Sequence, residues 1–170
     1  MKFIPQILTL TFLFLLLAEA TSAQISINAA RMNAGQMVGE LDKEQILNHD
    51  EQVKKNMAAY SPDEKAVAFI RKVEDEYDVV VFLGVWNSES VNHVPSFMRV
   101  MEDAGNPNFS VTWYGVNRAK RAPGNIVRRH NIQDVPTFIF YKDGEEAGRI
   151  VESPDKSIEE DIMKILAGGS

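Results

Sequence analysis

The run Val79-Val80-Val81-Phe82-Leu83 constrains the fold of this chain more than any other feature. It is too short for a helix, consists of β-branched, aromatic and aliphatic side chains, and stops at Gly84. A strand without polar alternation has no face to give to water, so both of its faces must be covered. It therefore reads as a central strand that needs cover on either side. Helical patterns flank it. Upstream, Ser61-Pro62-Asp63-Glu64 combines an N-cap serine, a first-turn proline and a capping-box glutamate, ahead of a stripe of Ala66, Ala68, Phe69, Ile70 and Val73. Downstream, residues 88–103 place Val91, Val94, Phe97, Met98 and Met101 on one side, with Pro95 predicted to kink the axis and Gly105 to end it.

The rest of the pattern continues in kind. Residues 109–116 form a strand holding Val111, Trp113 and Tyr114. Pro136-Thr137-Phe138-Ile139-Phe140-Tyr141 and Ala147-Gly148-Arg149-Ile150-Val151 are two more strands, with the hairpin signal Asp143-Gly144 between them. Ser157-Ile158-Glu159-Glu160 is a second capping box, followed by the stripe Ile158, Ile162, Ile165 and Leu166. Residues 24–50 carry the weakest pattern. Ile25, Ile27 and Ala29 alternate as an edge strand would, Gly35, Gly39 and Asn48 interrupt any long element, and 51–59 suits a short helix. A βαβ unit feeding a ββα unit predicts an α/β fold, a mixed central sheet with helices on both faces.

The first residues follow another logic. Lys2 precedes an apolar run at 7–18, and Thr21-Ser22-Ala23 offers the small residues that a signal peptidase reads. The run is far shorter than the roughly twenty residues a membrane span requires. The reading is a signal peptide at 1–23 with cleavage before Gln24, Ala18-Glu19-Ala20 being a second candidate cut, then an N-terminal extension at 24–60 and one domain at 61–170. A periplasmic or secreted location follows, with no stable membrane anchor after cleavage. The net charge of −6 gives nucleic-acid binding no overall electrostatic support. The chain contains no cysteine, which removes disulfides, thiolate zinc sites and lipidation at an N-terminal cysteine.

The order of these pieces resembles the thioredoxin fold over roughly residues 60–167. In that family a buried strand runs into Trp-Cys-x-x-Cys at the start of a kinked helix, opposite a cis proline in a Val-Pro-Thr or Ile-Pro-Thr segment. Here Leu83-Gly84-Val85-Trp86-Asn87-Ser88-Glu89-Ser90 is similar to the first feature, with Asn87 and Ser90 at the cysteine positions. Val135-Pro136-Thr137 is similar to the second, which implies a cis bond before Pro136. The stretch from Ser90 to Pro95 is most similar to exported members of the family. The redox chemistry of the family needs an activated thiolate and a second, resolving thiol, and neither asparagine nor serine can replace them. The buried aspartate that many members carry is Val81 here. The chain is therefore expected to be a redox-inactive, non-enzymatic member with no cofactor and no metal.

Three roles stay open at this point. In the family, the backbone before the proline pairs with extended peptides, which makes Val135, Pro136 and Thr137 candidates for a peptide groove facing Trp86, Asn87, Ser88, Glu89 and Ser90. Against this stands the reading in which Trp86 covers core and Asn87 merely caps a helix. The basic cluster of Arg118, Lys120, Arg121, Arg128 and Arg129 reads as a solvated loop and helix face, or else as the patch through which a structural or assembly subunit docks an acidic exported partner or an anionic lipid or glycan surface. An auxiliary to a cysteine-bearing paralogue is the third role. Ser90 and His93, three apart on one helix face, allow a serine–histidine pair, but no Gly-x-Ser-x-Gly elbow or evident orienting acid accompanies them. His49, His93 and His130 are too scattered for a metal site. Asn108-Phe109-Ser110 is a glycosylation sequon.

Overall fold

A computed structural model of the chain describes residues 37–168. The signal-peptide reading and the edge strand at 25–29 lie outside the described residues. The described elements are β1 (Gly39–Leu41), α1 (Lys43–His49), α2 (Glu51–Ala59), α3 (Glu64–Arg71), β2 (Tyr77–Leu83), α4 (Ser88–Ala104), β3 (Phe109–Gly115), α5 (Ile126–Arg129), β4 (Thr137–Lys142), β5 (Glu145–Val151) and α6 (Ile158–Leu166). The strands form one sheet in the order β1-β3-β2-β4-β5. β2 runs parallel to β3 and antiparallel to β4, while β1–β3 and β4–β5 are antiparallel pairs.

The central position of β2 follows from its composition. Val79, Val81 and Leu83 point into a large core layer with Val94, Phe97 and Met98 of α4 and with Phe138 and Phe140 of β4. Phe97 anchors that layer, its ring 5.0 Å from Phe138 and 5.8 Å from Trp113. Phe82 points the other way, into a smaller layer with Val116, Ile132, Val135 and Ile139, against which Val80, Trp86, Ile126 and Val127 pack. One uninterrupted apolar run thus serves two cores, as alternating side-chain direction requires. The hairpin between β4 and β5 turns at Asp143 and Gly144, both at positive φ. Gly105 ends α4 in the left-handed conformation, its N–H bonded to the carbonyl of Met101.

Residues 37–60, expected as an extension, are built onto this frame. β1 adds a strand beside β3, where Gly115 lets the backbone of Met37 approach so closely that a Cβ would lie 2.1 Å from the Met37 carbonyl oxygen. α2 docks on α4 through a specific polar contact. Pro95 has no N–H to give to the carbonyl four residues back. That carbonyl, on Val91, instead accepts from Asn56 Nδ2 at 2.9 Å.

Two local expectations are corrected. Asn48 does not interrupt a helix, because α1 runs through it, capped by a reciprocal Asp42–Gln45 box. The cap of α3 is Asp63 rather than Ser61. The Asp63 carboxylate accepts from the N–H groups of both Lys65 and Ala66, and its own N–H goes to Glu159. Glu159 is 3% exposed and also accepts from the Tyr60 hydroxyl at 2.7 Å. Burial, followed by the Glu159 carboxylate, pushes the Tyr60 phenol well above its usual range. At the second capping box Ser157 accepts from the Glu160 N–H, but the Glu160 side chain turns to Lys156.

Candidate functional site

The C-terminal end of β2 leads directly into the motif residues. Val85 and Trp86 form the turn, Asn87 is the N-cap of α4, and Ser88 and Glu89 open its first turn. Asn87, Ser90 and Trp86 each have a structural partner. Asn87 Oδ1 accepts from the Ser90 N–H at 2.8 Å, as a helix cap should. Ser90 is 2% exposed, and its hydroxyl accepts from the Gly84 N–H at 3.1 Å. Trp86 lies over Gly84 so closely that a Cβ there would meet the indole at 2.7 Å, and its Nε1 donates to the carbonyl of Val116 at 2.9 Å. Ser88 alone is exposed.

The Val135–Pro136 bond is cis, and the segment lies beside this turn through the smaller core layer. Val135 and Thr137 are each 1% exposed, and Pro136 is buried. The Pro136 carbonyl accepts from the Glu152 N–H at 2.7 Å, and the Thr137 hydroxyl donates to the Asp134 carbonyl. No hydrogen bond among the described residues engages the Val135 backbone, although the residue is buried in the layer against which Trp86 packs.

The serine–histidine pair does not form. Ser90 faces Gly84, while His93 Nε2 lies 3.1 Å from Glu89 Oε2. Ser153 Oγ donates to the same carboxylate oxygen at 3.0 Å, so Glu89 ties the start of α4 to the chain beyond β5. The sequence offered a clue to this contact only in the spacing of four between Glu89 and His93. No group of three or more histidine, aspartate or glutamate side chains among the described residues is placed to hold a metal. No described helix is long and apolar enough to cross a membrane.

The basic cluster divides three ways. Lys120, Arg121 and Arg128 line a hollow of 430 Å³ together with Ala122, Val127 and Ile132. Arg118 leaves that hollow and sits over Trp86, its guanidinium carbon 5.6 Å from the ring centroid. Arg129 acts on His130. That imidazole is held below its usual range by burial and by the charges of Arg129 and Arg149. The loop carrying these cations is fixed by its own backbone. Asn117 Oδ1 accepts from the N–H groups of Ala119 and Arg121, the Asn117 N–H donates to the Arg121 carbonyl, and Lys120 stands at positive φ. Lys120 pairs with Asp134. Arg118, Arg121, Arg128 and Arg129 are exposed and have no carboxylate partner among the described residues.

The sequon is also occupied. Asn108 Nδ2 donates to the carbonyls of Val73 and Glu74, each at 3.1 Å, and the Asn108 carbonyl accepts from the Tyr77 N–H.

The strand order, the long helix after β2 and the cis proline before β4 make this a thioredoxin-like α/β fold. No protein-family model matches the chain. It is similar to a thioredoxin-like protein of Acanthamoeba polyphaga mimivirus, 27% identical over 86 residues that make up 51% of this chain and 60% of that relative. The matched stretch is thus less than two thirds of the relative's length. Among solved structures, a protein of unknown function from Pseudomonas aeruginosa superposes with a TM-score of 0.61 at 14% identity, covering 78% of this chain and 94% of that one. An HIV epitope scaffold superposes at 0.54 with 18% identity, over 77% of this chain and 84% of its own. The relationship to thioredoxin-like proteins is distant, and these structures share the fold alone.

Proposed function

We propose that this chain is a redox-inactive, non-enzymatic binding protein of the extracytoplasmic space, whose partner-binding surface is the Trp86 turn extended by the basic loop at 118–129. The carrying observation is the set of four exposed arginines without carboxylate partners among the described residues, Arg118 and Arg121 on a loop held against Trp86 by the Nε1–Val116 bond and the Arg118 stack, Arg128 and Arg129 on α5. Unpaired, exposed cations on a preorganised loop lose little entropy on meeting a partner. The former cysteine positions support the same reading from the other direction. Asn87 Oδ1 caps the start of α4 and the buried Ser90 hydroxyl accepts from Gly84, so neither position presents a thiol or an open side chain for exchange chemistry. The leader pattern at 1–23 supports export. The backbone of Val135 is the lesser candidate because the residue is buried.

A crosslinking pulldown from the extracytoplasmic fraction tests this, run in parallel with Trp86→Ala, with Arg121→Glu/Arg128→Glu and with wild type. Both variants are expected to lose the same captured partner. A partner that both variants retain would place the binding surface elsewhere. Purified protein is also expected to show no insulin reduction above a no-protein control.

A further inference from the structure

We infer that the partner segment taken by this surface is acidic, with its carboxylates met by Arg118, Arg121 and Arg128; the inference rests on the binding surface proposed above and names its chemistry. Residues 117–133 contain five basic side chains and no acidic one, within a chain of net charge −6. That local reversal of sign is the signature of a recognition field rather than of solubility. Most other cations of the described sheet and helices have carboxylates nearby, as in Lys43–Glu102, Arg99–Asp103, Lys142–Asp75 and Arg149–Glu146. Of the five cations at 117–133 only Lys120 has a carboxylate partner among the described residues, Asp134, and Lys120 lines the hollow together with Arg121 and Arg128.

The shape narrows the class of ligand. Ala122, Val127 and Ile132 give the hollow part of its lining, apolar surface that suits an acidic side chain with its methylene stem. Guanidinium groups meet carboxylates with two parallel hydrogen bonds, which a lysine patch would not provide. A membrane surface is less well matched. Membrane-docking loops set apolar side chains beside their cations, whereas the exposed large apolar residues among those described are Phe69 and Val151, neither of them in this loop. A nucleic acid would meet a small cationic patch on a net acidic molecule.

The test uses the full mature protein and three fluorescein-labelled ten-residue peptides sharing one Ser/Ala/Leu frame and bearing four Glu, four Gln or four Lys. Anisotropy at 50 mM salt is expected to rank them Glu, Gln, Lys, with Glu about ten-fold tighter than Gln. At 500 mM salt the ratio should fall toward one. Arg121→Gln/Arg128→Gln, which removes exposed side chains that have no hydrogen-bond or carboxylate partner among the described residues, should lower the Glu-to-Gln ratio at 50 mM while the circular dichroism spectrum stays that of wild type. Amide chemical shifts locate the bound peptide. Equal affinity for Glu and Gln peptides, with shifts at Trp86 and 118–129, overturns the acidic preference and leaves the binding surface standing. Tight Glu binding with shifts confined to other parts of the molecule overturns the binding surface and the inference with it. Stronger binding to vesicles containing phosphatidylserine, or to a single-stranded RNA twelve-mer, than to the Glu peptide overturns the inference in favour of that ligand.

Discussion

At the scale of single residues, Gly84, Trp86, Asn87 and Ser90 hold one another across the turn before α4. Gly84 lacks a side chain because the indole of Trp86 occupies the space a Cβ would take, at 2.7 Å. Gly84→Ala should therefore destabilise the fold by about 1–3 kcal/mol, the usual range for overpacking. It should also shift the Trp86 indole N–H resonance as the bond to Val116 is lost. An unchanged denaturation midpoint with that resonance in place would mean that Trp86 is not held as described. A second test addresses whether this turn descends from a dithiol site. Asn87 Oδ1 reaches the backbone N–H of Ser90 at 2.8 Å, so the Asn87 side chain already lies against residue 90. Asn87→Cys/Ser90→Cys is expected to close an intramolecular disulfide, which needs Cβ atoms about 4 Å apart. Thiol titration after oxidation should find no free thiol. Two free thiols in a folded protein would separate these positions from the cysteine pair they resemble.

At the scale of elements, two contacts between distant segments carry testable energy. Asn56 of α2 supplies the hydrogen bond that Pro95 withholds from the Val91 carbonyl. Asn56→Ala should cost about 1–2 kcal/mol, because it leaves a partly buried acceptor unpaired. In a Pro95→Ala background the helix regains its own N–H donor, so the same change should cost clearly less. Equal costs in the two backgrounds would dissociate α2 docking from the proline. The second contact is that of His130 with Tyr141, whose hydroxyl lies 2.8 Å from Nδ1, beside Arg129, Arg149 and Glu146 and against the ring of Phe82. Burial and the two arginines lower the His130 pKa in the folded state. The unfolded chain therefore takes up a proton first as pH falls. His130 contributes no penalty above about pH 6.5, and stability declines as pH drops below that value toward the folded pKa. His130→Gln should flatten this part of the urea-midpoint profile between pH 7.5 and pH 5. A profile as steep as that of wild type would assign the decline to other groups.

Over the whole molecule, the elements legible in the sequence were those whose composition answers to burial. The run from Val79 to Leu83 announces a central strand because both its faces are covered, and the pattern through 88–103 announces α4 because one side packs on the sheet. The cap at Asn87 and the cis bond at Pro136 sit where motif order places them. What the sequence left open depends on tertiary partners. The choice of Asp63 over Ser61 as a cap follows from Glu159, nearly a hundred positions away. β1 has three residues, too few for any period to show. That Trp86 packs on the layer holding Val135, with Val135 itself 1% exposed, follows from side-chain packing that residue types alone do not specify. The locked sequon has a practical outcome for anyone making this protein. Oligosaccharide would be attached through Asn108 Nδ2, the same atom that holds Val73 and Glu74. Secretion from a yeast or mammalian host modifies chains while they are still unfolded, and a sugar there would keep the start of β2 from closing beside β3. The soluble, folded product from such a host should carry no glycan at Asn108. Ser110→Ala, a change at an exposed position, should raise its yield, whereas from a bacterial host the same change should make no difference.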